Sequence, residues 1–285
     1  MSRRDFQQAV VLVTGGGGGL GRALAHAWAA AGARVAAVDR DADAAAAVVA
    51  EVAAGGGDAL ALAADVAVES DCARAVGDCI TRYGRLDVLV ANAGISHRSA
   101  FAGTDPAVIR RVMEVNFFGA VHCTRAALPH LRSSRGAIVA VSSVAGYTPL
   151  SARTGYAASK HALHGFYDSL RTELADDGVD VTLVCPSFVA TGIGANALGG
   201  DGRPVRHDQV TVGRPLDPAR VAARVVDAVA RRRPLLRVGA TAHVAWWLSR
   251  LAPGTYARLM ARRVRAELES GHGVEHTARD RGTVE

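Results

Sequence analysis

Lysine is almost missing from this chain. Of the 33 lysine and arginine residues among 285, only Lys160 is a lysine. A sequence that uses arginine for every other cation has no solubility reason to place one lysine. Lysine is a compact point charge with three donors, and its pKa moves readily on burial, so Lys160 stands out as a residue kept for chemistry. Cysteine is scarce too: Cys72, Cys79, Cys123 and Cys185 form no CxxC pair. Cys72 and Cys79 would lie two turns apart on one helix, about 10 Å, too far to bridge. Buried thiols in a reducing compartment are the simple reading. Zinc-type spacing is absent, and His161 and His164 read as packing or surface residues, so no metal is expected. No apolar run approaches the ~20 residues of a membrane span. The run behind Arg3 and Arg4 is too short for a signal-peptide core, and the expected location is cytoplasmic. The net charge is +6, yet the arginines are spread out, densest at Arg231–Arg233 and Arg258–Arg265. Without an aromatic-plus-basic signature, nucleic acid is not an expected partner.

What is present is a globular composition, 49% apolar and 21% charged, arranged in alternating short apolar runs and helix-forming segments. Ala9–Val13 reads as a strand buried on both faces. It runs into Thr14 and five glycines, Gly15 to Gly19, then Leu20, Gly21 and a helix-forming segment from Arg22. Strand, glycine loop and helix together make a phosphate-binding expectation: glycine backbone approaches closely, and the helix N-terminus offers free N–H groups. A second strand, Arg34–Val38, ends at Asp39, 18 residues past Gly21. A carboxylate at that spacing suits an adenosine ribose and repels a 2′-phosphate. Arg40 next to it would attract one, and a helix N-cap is the bland role for Asp39. Further strands are expected at Ala59–Ala63, before Asp65 and Val66, at Leu86–Ala91, before Asn92, Ala93 and Gly94, at Ala137–Val141 and at Val179–Val184. Helices are expected at Ala42–Ala53, Glu69–Tyr83, from Pro106 through Asn116 and beyond, and at about Thr154–Ala175. Alternating elements of these lengths predict an α/β fold, a doubly wound parallel sheet. Its ligands bind beyond the carboxyl ends of the strands, where Gly15, Asp39, Asp65 and Asn92 all fall.

Tyr156 precedes Lys160 by four residues and so shares its helical face. The ammonium is expected to favour phenolate, bringing a pKa of about 10 toward the range of a general acid/base. Asn116, set among Val115, Phe117 and Phe118, reads as a buried amide in need of partners. From Ser187 to Pro215 glycine and proline break any long element, as in a lid or binding loop. Pro218–Arg231 then reads as a helix and Leu235–Val238 as a last strand.

Thr14-Gly15, Gly19-x-Gly21, Asp65-Val66, Asn92-Ala93-Gly94, Asn116, Ser143 and Tyr156-xxx-Lys160 stand in an order and at spacings that resemble the short-chain dehydrogenase/reductase family. The similarity covers roughly residues 7 to 240. It implies a tetrad of Asn116, Ser143, Tyr156 and Lys160. Tyr156 would exchange a proton with the substrate oxygen, Ser143 would hydrogen-bond that oxygen, Lys160 would bind the nicotinamide ribose, and Asn116 would hold a water in a proton relay. Pro186, Val189 (by its backbone) and Thr191 would meet the carboxamide and phosphates. Two positions depart from the family pattern: Ala91 replaces an asparagine and Ser187 a glycine. Gly18 stands where relatives that prefer NADP carry a basic residue, so with Asp39 it favours NAD over NADP.

The implied activity is hydride transfer between a secondary alcohol or ketone and NAD. An NADP-linked carbonyl reductase and a non-catalytic dinucleotide-binding regulator are the alternatives. Ala145, Tyr147, Leu150, Phe188 and Ile193 suggest an apolar substrate, whereas His97, Arg98 and Arg153 would suit an acid. Residues 1–240 are expected to form the dinucleotide-binding and catalytic domain, in a homodimer or homotetramer. Residues 241–285 read as an extension: two helices packed over the substrate loop or a neighbouring subunit, or a basic amphipathic face for a membrane surface, then a disordered tail from His272.

Overall fold

A computed structural model describes residues 3–205 and 214–271. Seven strands, β1 (Val10–Thr14), β2 (Arg34–Asp39), β3 (Ala59–Ala63), β4 (Val88–Ala91), β5 (Ala137–Val141), β6 (Asp180–Pro186) and β7 (Leu235–Val238), form one sheet in the order β3-β2-β1-β4-β5-β6-β7. Every pairing is parallel. The helices are α1 (Gly19–Ala30), α2 (Ala42–Ala54), α3 (Glu69–Tyr83), α4 (Pro106–Met113), α5 (Gly119–Ser134), α6 (Thr154–Glu173), α7 (Pro218–Ala230), α8 (Ala240–Leu251) and α9 (Pro253–Gly271). This is the doubly wound α/β sheet expected from the alternation. The strand order reverses between β1 and β4, and that switch point opens a crevice at the strands' carboxyl ends.

The strand residues explain the two layers. Successive side chains of a strand point to opposite faces. Val10 and Leu12 enter one core with Cys79, Leu131 and Tyr167, from α3, α5 and α6. Val11 and Val13 enter the other with Leu24, Trp28 and Val225, from α1 and α7. All four cysteines are buried thiols. Cys72 of α3 and Cys123 of α5 bring their sulfurs to 3.3 Å, a proximity that sequence separation hides.

Several boundaries differ from the sequence expectation. α1 begins at Gly19, inside the glycine run, where φ is +52°, a left-handed entry into the helix that glycine adopts without penalty. β6 runs on through Cys185 and Pro186, since β7 pairs with both. The expected single helix through Asn116 is interrupted by a π-type segment, Glu114–Phe118. The last two helices form a small core of their own: Ala245, Leu248, Tyr256 and Met260 pack on Val144 and Tyr147. They therefore cover the turn after Ser143. Gly213 of that loop and the tail from His272 lie outside the described residues. No helix among the described residues is long and apolar enough to cross a membrane.

Candidate active site

The crevice measures about 840 Å³, toward the upper end of small-molecule and cofactor sites. Thr14 builds its floor. The threonine hydroxyl accepts from the backbone N–H of Asn92 and of Ala93, both at 3.0 Å, and donates to Val90 O. The Asn92 amide returns the tie by donating to Thr14 O at 2.9 Å. The glycine turn is thus clamped to the end of β4. Gly15 has φ +62°, and a Cβ there would stand 2.9 Å from Ala93 Cα. A Cβ on Gly21 would run into Gly15 O. Only glycine fits either position. Gly18, by contrast, faces open space, and with Gly19, Leu20 and Gly21 it lines the crevice at the start of α1. Unpaired N–H groups at that helix start, against a wall that no side chain obstructs, fit a pyrophosphate.

Asp39 closes the next part of the wall. Its carboxylate accepts from Gly17 N at 3.0 Å and from Asp41 N at 3.1 Å. The N-cap of α2 is Asp41, which accepts from Ala44 N, so the capping role considered for Asp39 falls to its neighbour. Arg40 lines the same wall. Asp65 accepts from Ala67 N and meets Arg111 at 3.4 Å, and Val66 lies beside it on the crevice. Asn92, Ala93 and Gly94 line its middle, and Pro186, Val189 and Thr191 the far side.

Asn116 sits behind the wall, 1% exposed. Its amide accepts from Ile95 N at 2.8 Å and donates to Ile95 O and to Ser159 Oγ, each at 2.9 Å. A Cβ on Gly94 would stand 3.2 Å from the Asn116 oxygen and 3.6 Å from Lys160 Nζ. The π-type turn carries this amide toward β4 and α6, where its three bonds are to Ile95 and Ser159. Ser159, which the sequence reading overlooked, is one of them. Only its spacing on the Tyr156–Lys160 helix could have suggested it.

Ser143, Tyr156 and Lys160 meet on the crevice wall. Ser143 begins the short helical turn Val144–Gly146 and accepts from Ala145 N. Its hydroxyl lies close enough to the Tyr156 phenol to lower that phenol's pKa. Lys160, 3% exposed, lies 5.7 Å from the Tyr156 ring centre but donates to Val141 O at 2.9 Å. The pKa picture departs from the expectation. Burial pushes the Tyr156 phenol up, with the Ser143 hydroxyl and the Arg153 charge pulling it down. Burial also brings the Lys160 ammonium down to about 8. The lysine spends its hydrogen bond on a strand carbonyl, so in this state the phenol keeps its proton.

The remaining expectations divide. Leu150, Phe188, Ile193 and Arg153 line the crevice. Ala145 is fully buried, and Tyr147 turns away to donate to Ala242 O. His97 is fully buried off the wall, and neither ring nitrogen has a hydrogen-bond partner among the described residues. Arg98 is also buried. His161 bonds its own helix at Ala157 O. His164 reaches Ser142 Oγ at 3.1 Å, and burial brings its pKa down to about 4.

With that geometry in hand, comparison with known proteins is decisive for ancestry. Residues 9–199 match the short chain dehydrogenase sequence profile. The chain belongs to the short-chain dehydrogenase/reductase family. Its similar relatives include the bovine Dehydrogenase/reductase SDR family member 7B, 38% identical over 210 residues, which are 73% of this chain and 65% of that protein. The Xenopus tropicalis protein of the same name is 39% identical over 197 residues, 68% and 63% of the two chains. A Drosophila melanogaster Dehydrogenase/reductase SDR family protein 7-like is 35% identical over 204 residues, 71% and 63%. The matched part therefore spans a little under two thirds of these relatives' length.

Proposed function

We propose that this short-chain dehydrogenase/reductase transfers a hydride between NAD(H) and a secondary alcohol or ketone carried on an apolar body. The observation that carries the reading is the meeting of Ser143, Tyr156 and Lys160 on the wall of a crevice whose floor is the glycine turn. When bound, the nicotinamide supplies the hydride acceptor or donor. The protein's own work is position and proton transfer. The Tyr156 phenol gives its proton to the nascent alkoxide in reduction and recovers it in oxidation. Ser143, beside that phenol on the crevice wall, would bond the same substrate oxygen. Lys160, whose ammonium is one donor deep in Val141 O, keeps two N–H donors for a ribose. Its charge then acts on a phenol that burial alone would leave too weak an acid. Asn116 ties Ile95 to α6 and so fixes the wall against which Lys160 lies.

NAD is favoured because Asp39 faces the crevice wall between Gly17 and Asp41, where a 2′-phosphate would meet its charge. Arg40 and Arg111 line the same crevice and support the second reading, an NADP-linked carbonyl reductase. Val144, Leu150, Phe188, Ile193 and Leu198 on the wall support an apolar substrate.

The test is turnover over a panel of secondary alcohols and ketones with each cofactor, for the wild type and Tyr156→Phe. Loss of the phenolic proton should lower kcat by about a thousandfold, with NADH affinity, read by fluorescence, within a few-fold of wild type. Equal turnover in the variant contradicts the proton-transfer role. Faster turnover with NADPH than with NADH favours the second reading.

A further inference from the structure

We propose that α8 and the start of α9 form a docking face for a bilayer surface rich in anionic phospholipid. α8 buries one side, Ala242 and Ala245, against the turn after Ser143. Its other side carries Val244, Trp247 and Leu251, exposed by 63%, 55% and 77%. Their spacing of three and four residues makes them one stripe along the helix. Leu259 of α9 adds a further exposed side chain, at 42%. Large apolar groups gathered on one helix face in this way call for a covering surface.

The charge around the stripe says which surface. From Ala228 to Ala266 the sequence holds nine arginines and no aspartate or glutamate. Arg231 and Arg232 are bound to Asp227 and Asp180, away from the stripe. Arg250 and Arg237 lie over the two sides of Trp246, at 4.3 and 4.4 Å from its ring centre, and Arg250, Arg258 and Arg262 are exposed. Arginine heads flanking an apolar stripe that includes tryptophan match the headgroup boundary of a bilayer. Anionic lipid neutralises the arginines while the stripe enters the acyl edge. A second copy of this chain fits less well, because a two-fold contact through the same patch brings like charges together. A nucleic acid would satisfy the arginines and leave the stripe in water.

The experiment is co-sedimentation of the full chain with phosphatidylcholine vesicles, with and without phosphatidylglycerol, at low and high salt. The expected result is binding to the mixed vesicles at low salt, weakened by high salt and by omission of phosphatidylglycerol. A blue shift of tryptophan emission should accompany it. The variant Val244→Asn/Trp247→Ala/Leu251→Asn removes only exposed groups, so its thermal midpoint should stay near wild type. Its vesicle affinity should fall by tenfold or more (each lost apolar side chain being worth roughly a factor of ten). Arg258→Gln/Arg262→Gln should weaken binding at low salt and flatten its salt dependence. Protein left wholly in the supernatant overturns the proposal. So does vesicle binding that the stripe variant leaves unchanged. If the wild type is an oligomer that the stripe variant converts to monomer while vesicles bind neither, the face is a contact between copies and the proposal falls. Retention on DNA but not on vesicles overturns it likewise.

Discussion

A single buried ammonium sets the residue-scale chemistry. Lys160 is 3% exposed and its ammonium pKa is brought down from 10.5 to about 8 by burial. Below about pH 8 folded and unfolded chains both carry the charge, and folding bears the full cost of burying it. Between about 8 and 10.5 the unfolded chain still holds the proton that the folded chain has released. The unfolded state binds more protons there, so this group's contribution to stability rises with pH. The shift corresponds to about 3 kcal/mol. Other buried groups act the opposite way: the Cys79 and Cys185 thiols are pushed up to about 12 and lose stability above their unfolded range. The measurement is therefore a difference. Urea unfolding of the cofactor-free wild type and of Lys160→Met, from pH 7 to 10.5, should show wild-type stability gaining about 3 kcal/mol on the variant. The lost bond to Val141 O enters as a constant offset. A difference that does not change with pH would mean that Lys160 is not held against its charge. Composition alone was enough to single out Lys160. Its direction was not legible, because the carbonyl it meets belongs to a strand that ends 19 residues earlier. Nothing in Tyr156-xxx-Lys160 distinguishes a lysine aimed at the phenol from one aimed at β5.

At the scale of elements, the strands and most helices could be read because burial imposes short periods that survive in sequence. β4 and β5 are wholly apolar and β1 is apolar up to its last residue, Thr14, and all three are buried on both faces; Asp105 with Pro106 marks the start of α4 by capping and a fixed φ. The π-type turn was not legible. Val112, Val115 and Ala120 keep an apolar pattern that an unbroken helix would also show. What forces the wider turn is a tertiary demand: Asn116 must satisfy both backbone groups of Ile95 and the Ser159 hydroxyl. Asn116→Ala should thus strand a buried N–H and a carbonyl and leave the Ser159 hydroxyl, which still donates to Tyr156 O, without its own donor. With one or two of these rehydrated through the crevice, the expected loss is about 2 kcal/mol in urea unfolding. Hydrogen exchange should show faster opening of Ile95 and of the turn Glu114–Phe118 than of α7. An unchanged unfolding free energy would place the amide's bonds outside the folded core. The fit of α8 and α9 was only half legible. Their amphipathic pattern showed that one face would be buried, but not that Tyr147 would reach Ala242 O from the turn after Ser143. The turn that begins at Ser143 therefore rests on the C-terminal helices. Tyr147→Ala should lower stability by about 2 kcal/mol and raise the temperature sensitivity of turnover more than that of cofactor binding.

The whole molecule is organised so that no single element owns the crevice. Residues at or just beyond the ends of β1, β2, β3, β4, β5 and β6 line it, and the clamp of Thr14 to Asn92 and Ala93 spans the switch point. The sequence placed these strand ends together through one general rule of doubly wound sheets, and it did so without knowing the register. It could not show which lining groups were already engaged, since Asp41 takes the cap of α2 and Asp65 meets Arg111 only once the sheet is assembled. A ligand that bridges several of these strand ends stabilises the fold as a unit. By mass action, NADH at a hundredfold excess over its Kd should raise the unfolding free energy by about 2.7 kcal/mol. On the proposed NAD reading, NADPH at the same concentration should give less, because the Asp39 carboxylate would repel a 2′-phosphate. Asp39→Ala should narrow that gap. It removes the acceptor for Gly17 N, so NADH stabilisation falls, while Arg40 remains to hold the added phosphate and NADPH stabilisation rises. Thermal midpoints across a titration of each cofactor read both changes. Equal shifts by the two cofactors in the wild type, or a gap that Asp39→Ala leaves intact, would remove Asp39 as the discriminating group and give that role to Arg40 or Arg111.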